Sequence, residues 1–233
     1  YTYLDGVQVG GGANFSPGFL TNSVPFYIGV FGLGGNAFNG KLDEVRFYQR
    51  ALSPTEIHNH YKGRYQGSCL VAFSVSYNAS NVSPKDIIAA YNAYLRIRSL
   101  PPEVLLSMPF DTNVSSDRTG KITDYSRSLT AGTKDGATWT PDGKVGGAYN
   151  FSSSTDKIAL GVPVLSGNTD FTASAWVLPY GVSGTRTVLG NAGVSNPNGV
   201  SLTISSQRAA INASGGGVAS QSTLPSGSWV HLA

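Results

Sequence analysis

The sequence predicts an all-β sandwich, and three observations carry that expectation. First, residues 40–48 alternate: Leu42, Glu44, Arg46 and Tyr48 fall on one face, and Asp43, Val45 and Phe47 on the other. That is the period of a strand. Second, Asp5-Gly6 lies between two β-rich runs, Tyr1–Leu4 and Val7–Val9, which is a strong hairpin signal. Third, only 12% of the 233 residues are charged, while 29 are glycine and 12 tyrosine. A chain of this length makes one large β domain or two small ones.

The elements follow in order. After the hairpin, Gly10-Gly11-Gly12 reads as a loop and Phe26–Val30 as a short apolar strand. Gly34-Gly35-Asn36 is a turn before the alternating strand. Ser53-Pro54-Thr55-Glu56 then starts a short helix: Ser53 caps it, Pro54 suits its first position, and Glu56 completes a capping box. Cys69–Tyr77 is one more strand-like run. Ser83-Pro84-Lys85-Asp86 opens a second helix whose stripe is Ile87, Ile88, Tyr91, Tyr94, Leu95 and Arg98. Pro101-Pro102 stops it. The segment 64–102 is therefore expected to be a connector with one strand and one helix. Beyond it come Leu105–Asp111, Trp139–Phe151, Phe171–Val177, Thr187–Gly190, Gly199–Ile204 and Trp229–Ala233, all strand-like.

Several of these runs resemble one family. Gly40-Lys41-Leu42-Asp43-Glu44-Val45-Arg46-Phe47-Tyr48, running into Arg50-Ala51-Leu52-Ser53-Pro54-Thr55-Glu56-Ile57, resembles the closing strand of laminin-G-like, concanavalin A-type jelly rolls. Leu4-Asp5-Gly6 resembles the family's D-G hairpin. Met108-Pro109-Phe110-Asp111 resembles its opening strand, and Asp124-Tyr125-Ser126 a D-x-S turn. Gly143-Lys144-Val145-Gly146-Gly147-Ala148, Phe171–Val177 and Trp229–Ala233 resemble later strands of the first part. The resemblance implies a jelly-roll sandwich whose halves stand in permuted order. Residues 1–63 hold the family's C-terminal part and 103–233 its N-terminal part. Core candidates are Ile28, Val45, Phe47, Phe110, Trp139, Phe151, Trp176 and Trp229.

The permutation implies a pairing. The strand at Leu106–Phe110 should run antiparallel to Leu42–Tyr48, either within a chain or between copies, because each alone leaves a row of unpaired backbone groups. Pairing between copies builds open head-to-tail polymers. The chain begins at Tyr1 without a methionine, which leads us to expect a processed chain or a slice of a tandem array.

Function classes can be narrowed. The net charge is +3 with no Lys/Arg cluster interleaved with aromatics, against nucleic-acid binding. No apolar run reaches the length of a membrane span. Cys69 is the single cysteine, so no intrachain disulfide forms; it is a packed core thiol or an intermolecular bridge. Six Asn-x-Ser sequons, at Asn14, Asn78, Asn81, Asn113, Asn150 and Asn212, point to a secreted glycoprotein, with Pro17 and Pro84 weakening Asn14 and Asn81.

Catalytic candidates are few. His231 reads as a packed structural residue, and His58 and His60 as solvated residues at a helix end. Glycoside hydrolysis needs two carboxylates facing across a cleft. Asp43 and Glu44 are adjacent on a strand and expected on opposite faces. The resemblance treats these acids as structural, and a laminarinase-type E-x-D-x-x-E strand is absent. Calcium is the metal expectation, with Asp43, Asp111 and Asp124 converging as the resemblance brings opening and closing strands together. The competing reading gives Asp111 and Asp124 turn hydrogen bonds to backbone amides. The expected function is a non-enzymatic extracellular structural or adhesive subunit, one unit of a surface array or filament, whose partners are copies of itself. The alternative is a carbohydrate-binding lectin-type module, alone or attached to a secreted enzyme, with exposed aromatics such as Tyr180 against glycans.

Overall fold

The computed structural model describes residues 1–12, 24–30, 36–63, 103–113, 121–126, 128, 130–162, 164, 170–181, 183–191, 199–213 and 216–233. The expected strand at Cys69–Tyr77, the helix at 83–100 and Cys69 itself lie outside the described residues. Two eight-stranded antiparallel sheets pack face to face.

Sheet A runs β2 (Val7–Gly10), β1 (Thr2–Leu4), β16 (Val230–Leu232), β11 (Thr172–Pro179), β4 (Gly40–Tyr48), β9 (Ala148–Phe151) and β8 (Thr138–Thr140). One side of β4 is shared: its first residues pair with β9, and residues 45–48 pair with β5 (Val104–Met108). Sheet B runs β15 (Gly216–Ala219), β14 (Arg208–Ala213), β13 (Ser201–Ser205), β12 (Thr185–Gly190), β3 (Tyr27–Ile28), β10 (Lys157–Ala159), β7 (Gly132–Asp135) and β6 (Lys121–Ile122). Helix α1 is Pro54–Tyr61.

The β1–β2 hairpin turns through Asp5 at φ 49° and Gly6 at φ 77°, two left-handed residues, which matches the twist of its strands. The expected antiparallel pairing of opening and closing strands is present. Val45 lies opposite Met108 and Phe47 opposite Leu106, within one chain. The two chain ends are neighbours in sheet A: the Tyr3 amide donates to the Ala233 carbonyl at 2.7 Å, and the Ala233 amide to Tyr3 at 3.2 Å. Of the seven pairings that β1 to β4 make, six are with strands beyond residue 102.

Strict alternation along β4 fails at one point. Glu44 adopts φ 49°. Asp43 faces Trp176 and Arg46 faces Ser174, so Glu44 and Val45 together oppose Ala175. This is a β-bulge, and the extra residue resets the pattern. Leu42, Val45 and Phe47 therefore all enter the core, although the sequence placed Leu42 on the other face.

The main core lies between the sheets. Phe26 meets Phe47 edge-on at 5.5 Å, Phe47 stacks on Phe171 at 5.4 Å, and Phe110 meets Tyr149 edge-on at 5.1 Å. Ile28, Val45, Phe47, Phe110 and Phe151 are in it as expected, and Trp139 packs on its margin. Trp176 and Trp229 correct the expectation. Trp176 is buried outside this core, between Tyr61, His231 and Lys144, and Trp229 is only half-buried. A separate small cluster of Tyr3, Tyr48, Leu52, Ile57 and Val104 seats α1 on sheet A.

Candidate functional site

The acidic side chains singled out by sequence occupy three different structural positions. Asp43 is fully buried (0% exposed). Its Oδ1 accepts from the Glu44 amide at 2.7 Å, and its Oδ2 from the Val145 amide at 2.8 Å. It thus fixes the 141–147 turn against the bulge of β4. Asp111 borders the same turn, where Gly146 at φ 68° leaves no space for a Cβ. Burial, reinforced by the nearby Glu44 and Asp111 charges, pushes the Asp43 carboxyl up to about 8.

Asp124 is a plug on the open side of β5. Oδ1 accepts from the amides of Ser107 and Ser126 at 2.9 and 2.8 Å. Oδ2 accepts from the Ser126 hydroxyl at 2.6 Å and the Thr130 amide at 3.1 Å. The Tyr125 amide then donates to the Ser107 carbonyl at 2.8 Å, so this segment covers the edge as a strand would. The turn reading of Asp124 is the one realised. Calcium takes six to eight oxygen ligands. The Asp43 and Asp124 oxygens are already engaged by N–H and O–H donors. Among the described residues no three His, Cys, Asp or Glu side chains are grouped as metal ligands.

The third position is the outer face of sheet A beneath α1. The helix begins as its sequence requires: the Glu56 amide donates to Ser53 Oγ at 3.3 Å, and the Ser53 amide to Glu56 Oε2 at 2.8 Å. Arg50 grips the same carboxylate with two nitrogens at 3.0 and 2.6 Å, and donates from Nε to Glu103 at 2.9 Å. Those bonds hold Glu56 down at about 2.

Helical spacing brings Ile57, His60 and Tyr61 to the sheet. His60, expected to be solvated, is 7% exposed; it lies three residues after Ile57 and so shares its buried face. Its ring stacks on Tyr48 at 5.4 Å. His58 is exposed, as read. Below them Glu44 and Arg46 form a buried ion pair at 2.7 Å. His231, 3% exposed and packed as expected, meets Trp176 edge-on at 5.3 Å. Tyr61 lies 5.6 Å from Trp176, and Lys144 Nζ stands 4.4 Å over the indole. Burial first, then the Arg46 charge, pulls His60 down to about 4. Burial, then His60 and Arg46, pulls His231 down to about 3.

The sequence reading missed the buried Glu44–Arg46 pair. Its only signal was two opposite charges two residues apart on one strand. Chemically, this face is closed. Glu44 is spent on Arg46, Asp43 on two amides, and neither acid reaches solvent.

Raising a carboxyl pKa on folding has a fixed sign. The Asp43 contribution is complete below its unfolded value near 3.8 and is lost as pH rises toward 8. Stability is therefore expected to fall between pH 6.5 and 8 by up to about 1.4 kcal/mol per pH unit, measured by urea unfolding. The Asp43 carboxyl carbon should titrate near pH 8 by NMR. Flat stability over that range, with titration near pH 4, would contradict it.

The sequons divide similarly. Asn212 is exposed on β14, its amide 3.0 Å from Thr203 Oγ1. Asn150 is half-buried in β9, between Lys41 and Thr138. Asn113 is half-buried after β5. Asn14, Asn78 and Asn81 lie outside the described residues.

A family model described as the concanavalin A-like lectin/glucanases superfamily matches residues 1–58 and 152–233, more than half of the chain. The stretch 103–151 lies outside the match, although its strands complete the same sandwich. No curated protein and no solved structure matches the chain.

Proposed function

The chain belongs to the concanavalin A-like lectin/glucanases superfamily, and from that premise we propose that it is a non-enzymatic extracellular structural or adhesive subunit, one unit of a surface array or filament. The observation that carries this reading is the division of the sandwich. The part before residue 64 supplies a central strand to each sheet, β4 and β3, and finds nearly all its partners beyond residue 102. Such a strand can be complemented by its own chain, as here, or by the same segment of an identical neighbour. The sealed acids support the absence of hydrolysis. No helix among the described residues is long and apolar enough to cross a membrane.

The test uses β4 and β9, where Lys41 lies opposite Asn150. With Cys69→Ser as background, Lys41→Cys and Asn150→Cys should oxidise to ladders of linked chains in native assemblies, seen on non-reducing gels, with polymers in electron micrographs. Intrachain bonds alone, with single particles, would refute assembly by strand exchange. Purified protein is also expected to leave polysaccharides uncleaved; hydrolysis abolished by one acidic substitution would overturn the non-enzymatic reading.

A second reading rests on Tyr180, 47% exposed at the end of β11, as a stacking platform for a glycan. Specific binding by isolated monomer on a glycan array favours that lectin-type module, whether or not it is attached to a secreted enzyme.

As an extracellular glycoprotein the chain should carry its glycan at Asn212, which is exposed, and none at Asn150, which is half-buried, although both lie in paired strands. Peptide mass spectrometry of native material checks this; an unmodified Asn212 overturns it.

A further inference from the structure

Helix α1 is held to the sandwich by a small cluster of its own. Tyr3, Tyr48, Leu52, Ile57 and Val104 are separate from the core between the sheets. The helix has eight residues and buries Ile57 and His60. Local units with few apolar contacts open at lower free energy than the core.

The groups packed around this seat are mostly cationic or can become so. From β4, Glu44, Arg46 and Tyr48 face the helix; from β16 comes His231; Arg50 and Glu56 act on His60 from the helix start. His58 and Tyr61 lie on α1 itself, with Trp176 beneath Tyr61. The Asp5 carboxylate accepts from the His231 backbone amide at 2.9 Å. Among the described residues His231 Nδ1 is buried without a hydrogen-bond partner, while His60 Nε2 lies 3.4 Å from the Tyr48 hydroxyl. Protonating both rings would set three cations, Arg46, His60 and His231, against the Glu44 carboxylate.

We propose that α1 is an acid-released latch: protonation of His60 and His231 lifts the helix from sheet A, exposing Trp176 and Tyr48, while the two-sheet core stays folded. Both imidazoles are held neutral when the helix is seated. Their contribution is complete above the unfolded value near 6.5 and is lost as pH falls toward 4. Between pH 7 and 4.5 two such groups shift the docked-to-released ratio roughly 10³-fold. The capping box does not titrate in that window, because Glu56 is held at about 2.

The test is an amide NMR titration of the full chain from pH 7 to 4. Resonances of Thr55–Tyr61 are expected to lose their helical shifts near about pH 5, with β4 and β11 amides unchanged. His60→Phe with His231→Leu should keep the helix seated throughout. If that double variant does not fold, His60→Phe alone, which retains the ring on Tyr48, should move release to lower pH. The latch is refuted if the helix stays seated to pH 4, if helix and core melt in one step, or if His60→Phe releases at the wild-type pH.

Discussion

Replacing Arg46 with alanine should destabilise the protein by about 3–5 kcal/mol, because it strands the Glu44 carboxylate in a buried site. Glu44 is 4% exposed, and Arg46 is its ion-pair partner at 2.7 Å. The two are adjacent to the bulge, so the backbone cannot swing Glu44 to water without undoing the register of β4 against β11. Thermal unfolding should therefore drop by about 10 °C, at some 2–4 °C per kcal/mol for a chain of this size. Arg46→Met combined with Glu44→Gln should recover at least half of the loss, since neither charge is then left alone. A single-variant loss below about 1 kcal/mol would mean that the pair behaves as a solvent-screened surface bridge.

Phe47→Ala should cost a similar amount, about 3–5 kcal/mol, by a different cause. Phe47 is fully buried in the central strand of sheet A and contacts the rings of Phe26 and Phe171. Its loss leaves a cavity bounded by two paired strands, β11 and β5, which cannot collapse inward without breaking their ladders. The urea midpoint should fall while the slope stays constant, as a loss of stability without a change of denatured state requires. A fall below about 1.5 kcal/mol would show that Phe171 swings in to fill the space.

Much of the framework was legible. The hairpin at Asp5-Gly6, the capped helix at Ser53 and the antiparallel meeting of 42–48 with 106–110 all follow from local chemistry or from the resemblance. The bulge at Glu44 was not, because nothing in a Glu side chain announces a left-handed backbone. Once the extra residue is present, Leu42 changes face, and the apparent alternation misleads. The site was less legible than the fold. Two histidines two residues apart look solvated until Ile57 fixes which side of the helix is inward. Trp176 was placed in the core as a large aromatic on an expected strand, yet it packs on the opposite face, where a cation and two further rings cover it. Asp111 and Asp124 looked like partners, but backbone donors had already claimed Asp124.

The Arg50 clamp has a consequence for how this protein tolerates change. One guanidinium holds Glu56, in the first turn of α1, and Glu103, the residue before β5, while the Gln49 amide donates to the Glu103 carbonyl. The chain thus departs after an eight-residue helix and re-enters beside that helix's first turn, a gap of about 12 Å. Arg50, Glu56 and Glu103 are therefore the residues that a change anywhere between 63 and 103 has to keep if α1 and β5 are to stay side by side.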